Sequence, residues 1–226
     1  MPAGTITALQ IQEKDKERVN VLIDGAFALG IGLRTLEQMG LYKGQVLDEF
    51  GWEQLLKAEQ MDKAYNSALN YLAARPRSSR EVRDRLRRKE YPTDHIEVAI
   101  EKLQRLGLVN DEAFARFWVE NRQLSRPKGA RAIQAELQQK GVDRETISSV
   151  LDDMTNADDE QIRALTLART VIRRYEKEAD KWTFTRKMSA FLQRRGFGFD
   201  AIKPAVDTLW GELHGDNADA DDEDDL

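Results

Sequence analysis

Residues 132–154 have the sequence AIQAELQQKGVDRETISSVLDDM, and the same pattern occurs without gaps at two other places in the chain. The other copies are EVRDRLRRKEYPTDHIEVAIEKL (81–103) and KMSAFLQRRGFGFDAIKPAVDTL (187–209). Each copy has an anchor leucine (Leu86, Leu137 or Leu192) that is followed ten residues later by an isoleucine. A pattern that returns every ~50 residues predicts tandem copies of one structural unit.

Each of these isoleucines begins an apolar stripe at positions i, i+3, i+4 and i+7, which is typical of a helix that buries one face. The stripes are Ile96/Ala99/Ile100/Leu103, Ile147/Val150/Leu151/Met154 and Ile202/Ala205/Val206/Leu209. A further helix is predicted before each block, at 65–74, 111–124 and 159–176, with Asp111 and Asp158 or Asp159 as N-caps. Each repeat is therefore three helices, and units this small are expected to pack on their neighbours.

The turn after each middle helix is predicted from the residue four places after the anchor leucine. Gly141 and Gly196 stand there in two copies, and glycine adopts a left-handed helix end without strain. Glu90 stands there in the first copy, so we expect its turn to be built differently. Ser78-Ser79-Arg80-Glu81 predicts a capping box for the first middle helix.

The start of the chain has a different pattern. The β-prone runs ITALQIQ, RVNVLID and AFALGI surround Asp24-Gly25, a strong hairpin signal, and helical sequence follows from LRTLEQMG and again from about Glu53. The predicted fold is mainly α: three tandem three-helix, helix-turn-helix-like repeats after a small β-hairpin-containing domain. The predicted divisions are 1–60, 61–109 (repeat 1), 110–156 (repeat 2), 157–215 (repeat 3) and an acidic disordered tail, 216–226.

The charges of the 226 residues are unevenly distributed around a net value of −5. Residues 216–226 hold seven acids and no base, and residues 1–60 hold nine acids and six bases, which leaves +5 for residues 61–215. A basic body favours a polyanionic partner. The tail is interpreted either as solubilising disorder or as a segment that folds back and competes with DNA.

Composition argues against an enzyme and against a membrane protein. Cysteine is absent, which excludes disulfides and zinc–thiolate sites, and no apolar run is long enough to span a bilayer. The two histidines, His95 and His214, lack metal-ligand spacing, and His95 is expected to be exposed in the first turn of a helix. Gly30-Ile31-Gly32 lacks the third glycine of a dinucleotide loop, and there is no Walker A pattern. We expect no catalytic residue, metal or cofactor, in a soluble, cytoplasmic chain without a signal peptide.

The repeat register predicts a basic outer column. Six residues before each anchor leucine stand Arg80, Arg131 and Arg186, and nine before stand Arg77, Lys128 and Thr183. Arg83 and Arg87 share the outer face of the first middle helix, opposite Val82 and Leu86. The candidate partner or DNA contacts are Arg77, Arg80, Arg83, Arg87, Lys128, Arg131 and Arg186. Phosphates would suit such a row, but exposed arginines on a helix face are also ordinary.

Several other side chains have two interpretations. Arg122, one turn after Trp118, is either part of a structural ion pair or a partner contact. Phe114, Phe117 and Trp118 are spaced as core residues. Trp182 and Phe184 are predicted to lie in a long connection at about 175–184, as core caps or as base-stacking residues, with the core favoured.

Residues 64–214 resemble the RecX family, whose members regulate the recombinase RecA. The resemblance lies in Ala68-Leu69, Tyr71-Leu72, Arg77-Ser78 and the Leu86 block, and above all in the second repeat. The positions there are Asp111, Phe114-Ala115, Trp118-Val119, Arg122, Pro127-Lys128-Gly129, Glu136-Leu137 and Lys140-Gly141. The N-terminal β-prone sequence resembles the extension of longer members, while Glu90 and the long third-repeat connection depart from the pattern.

The resemblance implies a monomeric modulator that lies along the RecA filament. It would limit strand exchange, ATP hydrolysis and the co-protease role of RecA in the DNA-damage response, with weak, non-specific binding to single- and double-stranded DNA. Two other functions stay open at this point: a DNA-binding or transcription-regulating helix-turn-helix module, and a passive repeat scaffold.

Overall fold

The computed structural model describes residues 3–125, 127–176 and 180–214. The chain divides into two compact units, Met1–Val109 and Asn110–Leu226. The predicted acidic tail, residues 216–226, lies outside the described residues. Within the described ranges, none of the helices combines the length and the apolar character that crossing a membrane requires.

The first unit begins with a four-stranded antiparallel sheet. Its strands are β1 (Gly4–Ile11), β2 (Arg18–Ile23), β3 (Ala26–Gly32) and β4 (Val46–Leu47), in the order β3-β2-β1-β4. The predicted hairpin is confirmed: Asp24 and Gly25 both have positive φ, 48° and 86°, as the twist of a two-residue hairpin requires. Helix α1 (Leu33–Met39) follows β3. Strand β4 was not predicted, because two residues are too few to show an alternating pattern.

One long helix, α2 (Glu49–Leu72), joins the sheet to the first repeat. Trp52 and Leu55 near its start belong to the apolar core under the sheet. Tyr65 and Ala68 near its end belong to the core of the first repeat. The predicted division at residue 60 therefore falls inside a continuous helix, which serves both cores.

The three predicted three-helix repeats are confirmed. Repeat 1 consists of the end of α2 with α3 (Ser79–Arg87) and α4 (Thr93–Arg105). Repeat 2 consists of α5 (Asp111–Leu124), α6 (Ala130–Gln139) and α7 (Arg144–Met154). Repeat 3 consists of α8 (Ala157–Val171), a 3₁₀ turn at Ile172–Arg174, α9 (Lys181–Arg194) and α10 (Phe199–His214). The anchor leucines and the three isoleucines are all buried.

The turn after the middle helix has the same form in all three repeats. Gly141 and Gly196 have the predicted left-handed conformation, with φ of 80° and 85°, and Glu90 adopts it too, with φ of 62°. In each turn the next N–H donates to the anchor leucine carbonyl, at 3.3 Å in the first repeat, 3.1 Å in the second and 3.3 Å in the third. The expectation of a different turn at Glu90 is wrong, because this hydrogen bond requires a left-handed residue whatever its side chain.

The helix starts need two corrections. The N-caps of α5 and α8 are Asn110 and Asn156, each accepting from the N–H three residues later, so Asp111, Asp158 and Asp159 are not the caps. These acids lie in the first turn, where they interact favourably with the helix dipole. The Ser78 cap of α3 is confirmed by its hydrogen bond from the Glu81 N–H at 3.1 Å.

His95 does lie in the first turn of α4, but it is only 4% exposed. The expectation that it is exposed is wrong. It directly precedes Ile96, and the buried face of α4 is wide enough to include both positions.

Candidate partner-binding surface

The three arginines of the predicted column all have exposed side chains, with different surroundings. The Nε of Arg80 on α3 lies 3.8 Å from the carboxylate of Asp84. Arg186 on α9 lies over the ring of Trp182, 5.0 Å from its centroid. Arg131 lies exposed in the first turn of α6. Arg80 belongs to the first compact unit and the other two to the second, so a continuous row stays a prediction.

The remaining first-repeat arginines of the predicted set interact with their own repeat. Arg83 donates two hydrogen bonds to Glu97, at 2.7 Å and 2.8 Å, and these bonds hold the pKa of Glu97 below its ordinary value. Arg77 lies over the ring of Tyr71 at 4.1 Å, and its buried Nε has no hydrogen-bond partner in the described part of the chain. Arg87 is exposed, 3.7 Å from Asp84. Arg77 and Arg83 are therefore less available to a partner than Arg80 and Arg87.

Glu136 on α6 is the centre of a polar cluster in the second repeat. Its carboxylate accepts from the Trp118 indole N–H at 2.8 Å, from Arg122 Nε at 2.7 Å and from the ammonium of Lys128. Partial burial acts to raise the pKa of Glu136, but the hydrogen bonds from Arg122, Lys128 and Trp118 outweigh burial and lower it. Arg122 thus forms the ion pair that was one of its two interpretations, and Lys128 points to the same carboxylate.

Two cations of this repeat also make cation–π contacts with the Trp118 ring. The Arg122 guanidinium and the Lys140 ammonium each lie 4.4 Å from the ring centroid. These side chains line a shallow depression of about 390 Å³ together with Glu136 and Gln139. Trp118 and Phe117 are half-buried rather than full core residues, unlike Phe114, which is fully buried as predicted. Trp118 stays near the surface because its N–H and its ring both have polar partners.

The second and third repeats pack tightly on each other, as predicted for neighbouring repeats. The Gly129 N–H, just before α6, donates to the Arg195 carbonyl at 3.0 Å. A Cβ on Gly129 would lie 2.3 Å from the Gly196 carbonyl oxygen, and one on Gly196 would lie 2.3 Å from the Ala132 Cβ. In addition, a Glu160 oxygen of the third repeat accepts from the Ala130 N–H at the start of α6, at 2.9 Å. Backbone contact at these glycines fixes how the two repeats meet.

The first unit contains two buried carboxylates that the sequence analysis missed. Glu59 on α2 is 1% exposed and accepts from Arg18 at 2.9 Å, from the Gly32 N–H at 2.9 Å and from the Thr35 hydroxyl at 3.1 Å. It therefore connects the sheet and α1 to α2. The helical register could have predicted that Glu59 is buried, because Glu59 falls four residues after the buried Leu55, on the same helix face.

The second carboxylate, Asp62, is less well satisfied. It is 8% exposed, and one oxygen accepts from Asn66 at 2.9 Å. The other oxygen lies 3.7 Å from Arg34 Nε and has no hydrogen-bond partner in the described ranges. Burial raises the pKa of Asp62, although Arg34 opposes the shift. Asp62 and Arg34 line two cavities of about 540 Å³ and about 150 Å³.

The predicted core position of Trp182 is wrong. Helix α9 begins at Lys181, so Trp182 and Phe184 lie in its first turn and not in a connection. Phe184 is fully buried, whereas Trp182 is 70% exposed. Positions two apart on a helix point in directions about 200° apart, so only one of these rings can face the core.

No three His, Asp or Glu side chains among the described residues come together as a metal site would require. The polar clusters above consist of carboxylates that accept from cations and backbone, an arrangement suited to holding structure and to presenting charge.

Comparison with known proteins gives matches along most of the chain. Family models described as the Regulatory protein RecX N-terminal domain and as the first, second and third three-helix domains of RecX match residues 4–48, 64–103, 110–151 and 158–206. A regulatory protein RecX of Listeria monocytogenes is 33% identical over 92% of this chain and 77% of its own length. One of Clostridium perfringens is 31% identical over 91% of this chain and 96% of its own length.

Solved structures agree with these matches. A crystal structure of regulatory protein RecX superposes with a TM-score of 0.78 at 27% identity, covering 90% of this chain and 98% of the other. The crystal structure of RecX from Lactobacillus salivarius gives a TM-score of 0.62 at 31% identity, covering 67% of this chain and 97% of the other.

Proposed function

This chain belongs to the RecX family of regulatory proteins, and from that premise we propose that it binds the RecA–DNA filament and restrains it. The proposed result is slower ATP hydrolysis, strand exchange and co-protease activity of RecA during the DNA-damage response. The supporting observation is that family models match the N-terminal segment and all three repeats. We also propose that the chain acts as a cytoplasmic monomer, without a catalytic step or a cofactor of its own.

Within the predicted basic set, the proposal assigns filament contact to the exposed cations Arg80, Arg87, Arg131 and Arg186. Guanidinium groups suit phosphate oxygens and acidic side chains, and they position a bound protein without selecting a DNA sequence. Arg77, Arg83 and Lys128 support the surface indirectly, because each is half-buried against a neighbour in its own repeat, whereas the four assigned cations are exposed.

The test is the single-strand-DNA-dependent ATPase of RecA from the same source, with this protein titrated up to equal concentration. We expect strong inhibition, and we expect Arg80→Glu, Arg131→Glu and Arg186→Glu together to relieve it. The matched control is Lys57→Glu, Arg144→Glu and Arg173→Glu, which makes the same charge change at exposed positions outside the predicted column. Equal relief by both sets would contradict the assigned surface, and no inhibition by the unmodified chain would contradict the function.

A second candidate is a stand-alone, non-specific DNA-binding or transcription-regulating module. The tight turn between the second and third helices of each repeat favours it, since that geometry resembles a helix-turn-helix. DNA binding without any effect on RecA would select this candidate.

A further inference from the structure

Helix α9 of the third repeat has an unusual surface. Its sequence, KWTFTRKMSAFLQR, contains four cations and no acidic residue. The exposed cations are Lys181, Arg186, Lys187 and Arg194. Surface helices usually mix both signs of charge along their length, since pairs one turn apart stabilise them. The outer side of α9 therefore presents a positive strip.

Trp182 stands in this strip with most of its side chain in water, 70% exposed. It is not a part of an apolar patch along the helix, because the other large apolar side chains of α9 are buried. These are Phe184, Met188, Phe191 and Leu192. The Arg186 guanidinium, one turn further, lies 5.0 Å from the indole centroid. An indole exposed in this way keeps a flat surface available next to a cation.

We propose that Trp182 and Arg186 form a stacking site for the bases of single-stranded DNA. A positive strip follows the phosphate backbone, and an aromatic ring stacks on any base, which together give binding without sequence preference. The inference deepens the proposed function, on which its choice of DNA as ligand rests, by assigning the single-strand contact to the third repeat.

The surroundings of Trp182 favour DNA over a protein partner. Tryptophan and arginine are also common at the centres of protein interfaces, but those centres are apolar and depleted of charge. Arg186 is the exposed cation of α9 nearest to Trp182 in the helical register, whereas Lys181 lies 3.7 Å from Asp207 of α10 and the carboxylate of Asp180 caps the start of the helix. An apolar protein surface that covered this ring would have to desolvate the Arg186 guanidinium, whereas a DNA strand brings a phosphate for it.

The experiment measures binding of a fluorescent oligo(dT) strand to the full chain at low salt, without RecA. We expect Trp182→Ala to weaken binding by about fivefold to 100-fold and Trp182→Phe to retain it within about twofold, because only the aromatic ring is needed. Arg186→Gln should lower the slope of log affinity against log salt by about 0.7. Phe199→Ala is the matched control, since this exposed ring of the same repeat begins α10, and it should leave binding unchanged.

A second readout is intrinsic fluorescence. Oligo(dT) should quench the unmodified chain, and Trp182→Phe should lose that quench while it retains binding. Unchanged affinity of Trp182→Ala would overturn the proposal. It would also be overturned if Trp182→Ala weakened binding to RecA filaments but not to oligo(dT), which would identify a protein contact. The RecA ATPase assay tests the proposed function separately from this site. Inhibition of RecA can be absent while Trp182-dependent DNA binding persists, and inhibition can be present while Trp182 has no effect on DNA binding.

Discussion

The turn residue and a buried carboxylate of the first compact unit differ from the turn residues and the central carboxylate of the second. Its turn residue Glu90 has φ of 62°, where the second unit has glycine at Gly141 and Gly196. Its buried Asp62 has one carboxylate oxygen without a hydrogen bond in the described ranges, whereas Glu136 accepts three. Left-handed non-glycine residues and unsatisfied buried acceptors each cost about 1–3 kcal/mol. We therefore expect substitutions at Glu90 and Asp62 to stabilise the first unit, and substitutions at Gly196 and Glu136 to destabilise the second.

The largest expected effect is that of Gly196→Ala in the second unit. The new Cβ would lie 2.3 Å from Ala132 Cβ and 2.4 Å from Ala132 N, so the second and third repeats would have to separate. We expect a loss of about 3 kcal/mol or more in the free energy of unfolding, measured by urea titration. The control is Gly107→Ala, which has φ of 69° but an open surrounding and should cost only about 1 kcal/mol. Equal losses would show that backbone conformation, not repeat contact, sets the cost.

Glu136→Gln should have the next largest effect. It removes the charge that Arg122 and Lys128 share, and we expect a loss of about 2 kcal/mol at neutral pH, measured by urea unfolding. Because the pKa of Glu136 is lowered in the folded chain, its contribution is present above the ordinary value of 4.5 and lost as pH falls through the folded value. The difference between the two proteins should therefore shrink in acid. A constant difference would contradict the ionic role.

Glu90→Gly should stabilise the first unit. It removes the left-handed strain, and part of that gain is offset by the greater freedom of glycine in the unfolded chain. We expect a gain of about 0.5–1 kcal/mol in the free energy of unfolding. Gly141→Ala, the opposite change at the matching turn, should lose about the same amount. A loss from Glu90→Gly would mean that the Glu90 side chain stabilises its turn.

Asp62→Asn should have the smallest effect, a gain below about 1 kcal/mol at neutral pH. The pKa of Asp62 is raised in the folded chain, chiefly by burial, so the ionised form weakens folding. Below the ordinary pKa of 3.8 the carboxyl is protonated in both states and burial costs little. As pH rises through the higher pKa of the folded chain, the unmodified protein loses stability, and the asparagine variant avoids this loss. Thermal unfolding across pH should show the gain only above that range. A loss at neutral pH would show that the Arg34 pair outweighs burial.

The repeated elements of the fold were predictable from the sequence because they depend on local periodicity. The apolar stripes after Ile96, Ile147 and Ile202 specify helices, and Asp24-Gly25 specifies the hairpin. Helix α2 was predicted in two pieces, because its buried face changes partner along its length. The turn at Glu90 was mispredicted since side-chain preference was overridden by the hydrogen bond to Leu86.

The candidate surface was less predictable. Sequence register correctly placed Arg80, Arg131 and Arg186 outside, since a helical face follows from spacing alone. It did not reveal that Glu136 gathers Lys128 and Arg122, because those residues come from separate elements. Nor did it predict that Trp182 is exposed, since helix α9 begins earlier than the sequence indicated. Three-dimensional contacts decide which cations are paired, and a single sequence carries no direct record of them.

The most direct test of the central claim is cosedimentation of the chain with RecA filaments assembled on single-stranded DNA with a non-hydrolysed ATP analogue. Naked single-stranded DNA at the same salt concentration is the control. We expect saturable binding to the filament that exceeds binding to the naked DNA. Equal binding to naked DNA and to the filament, or binding to naked DNA alone, would contradict it and would identify a DNA-binding module instead.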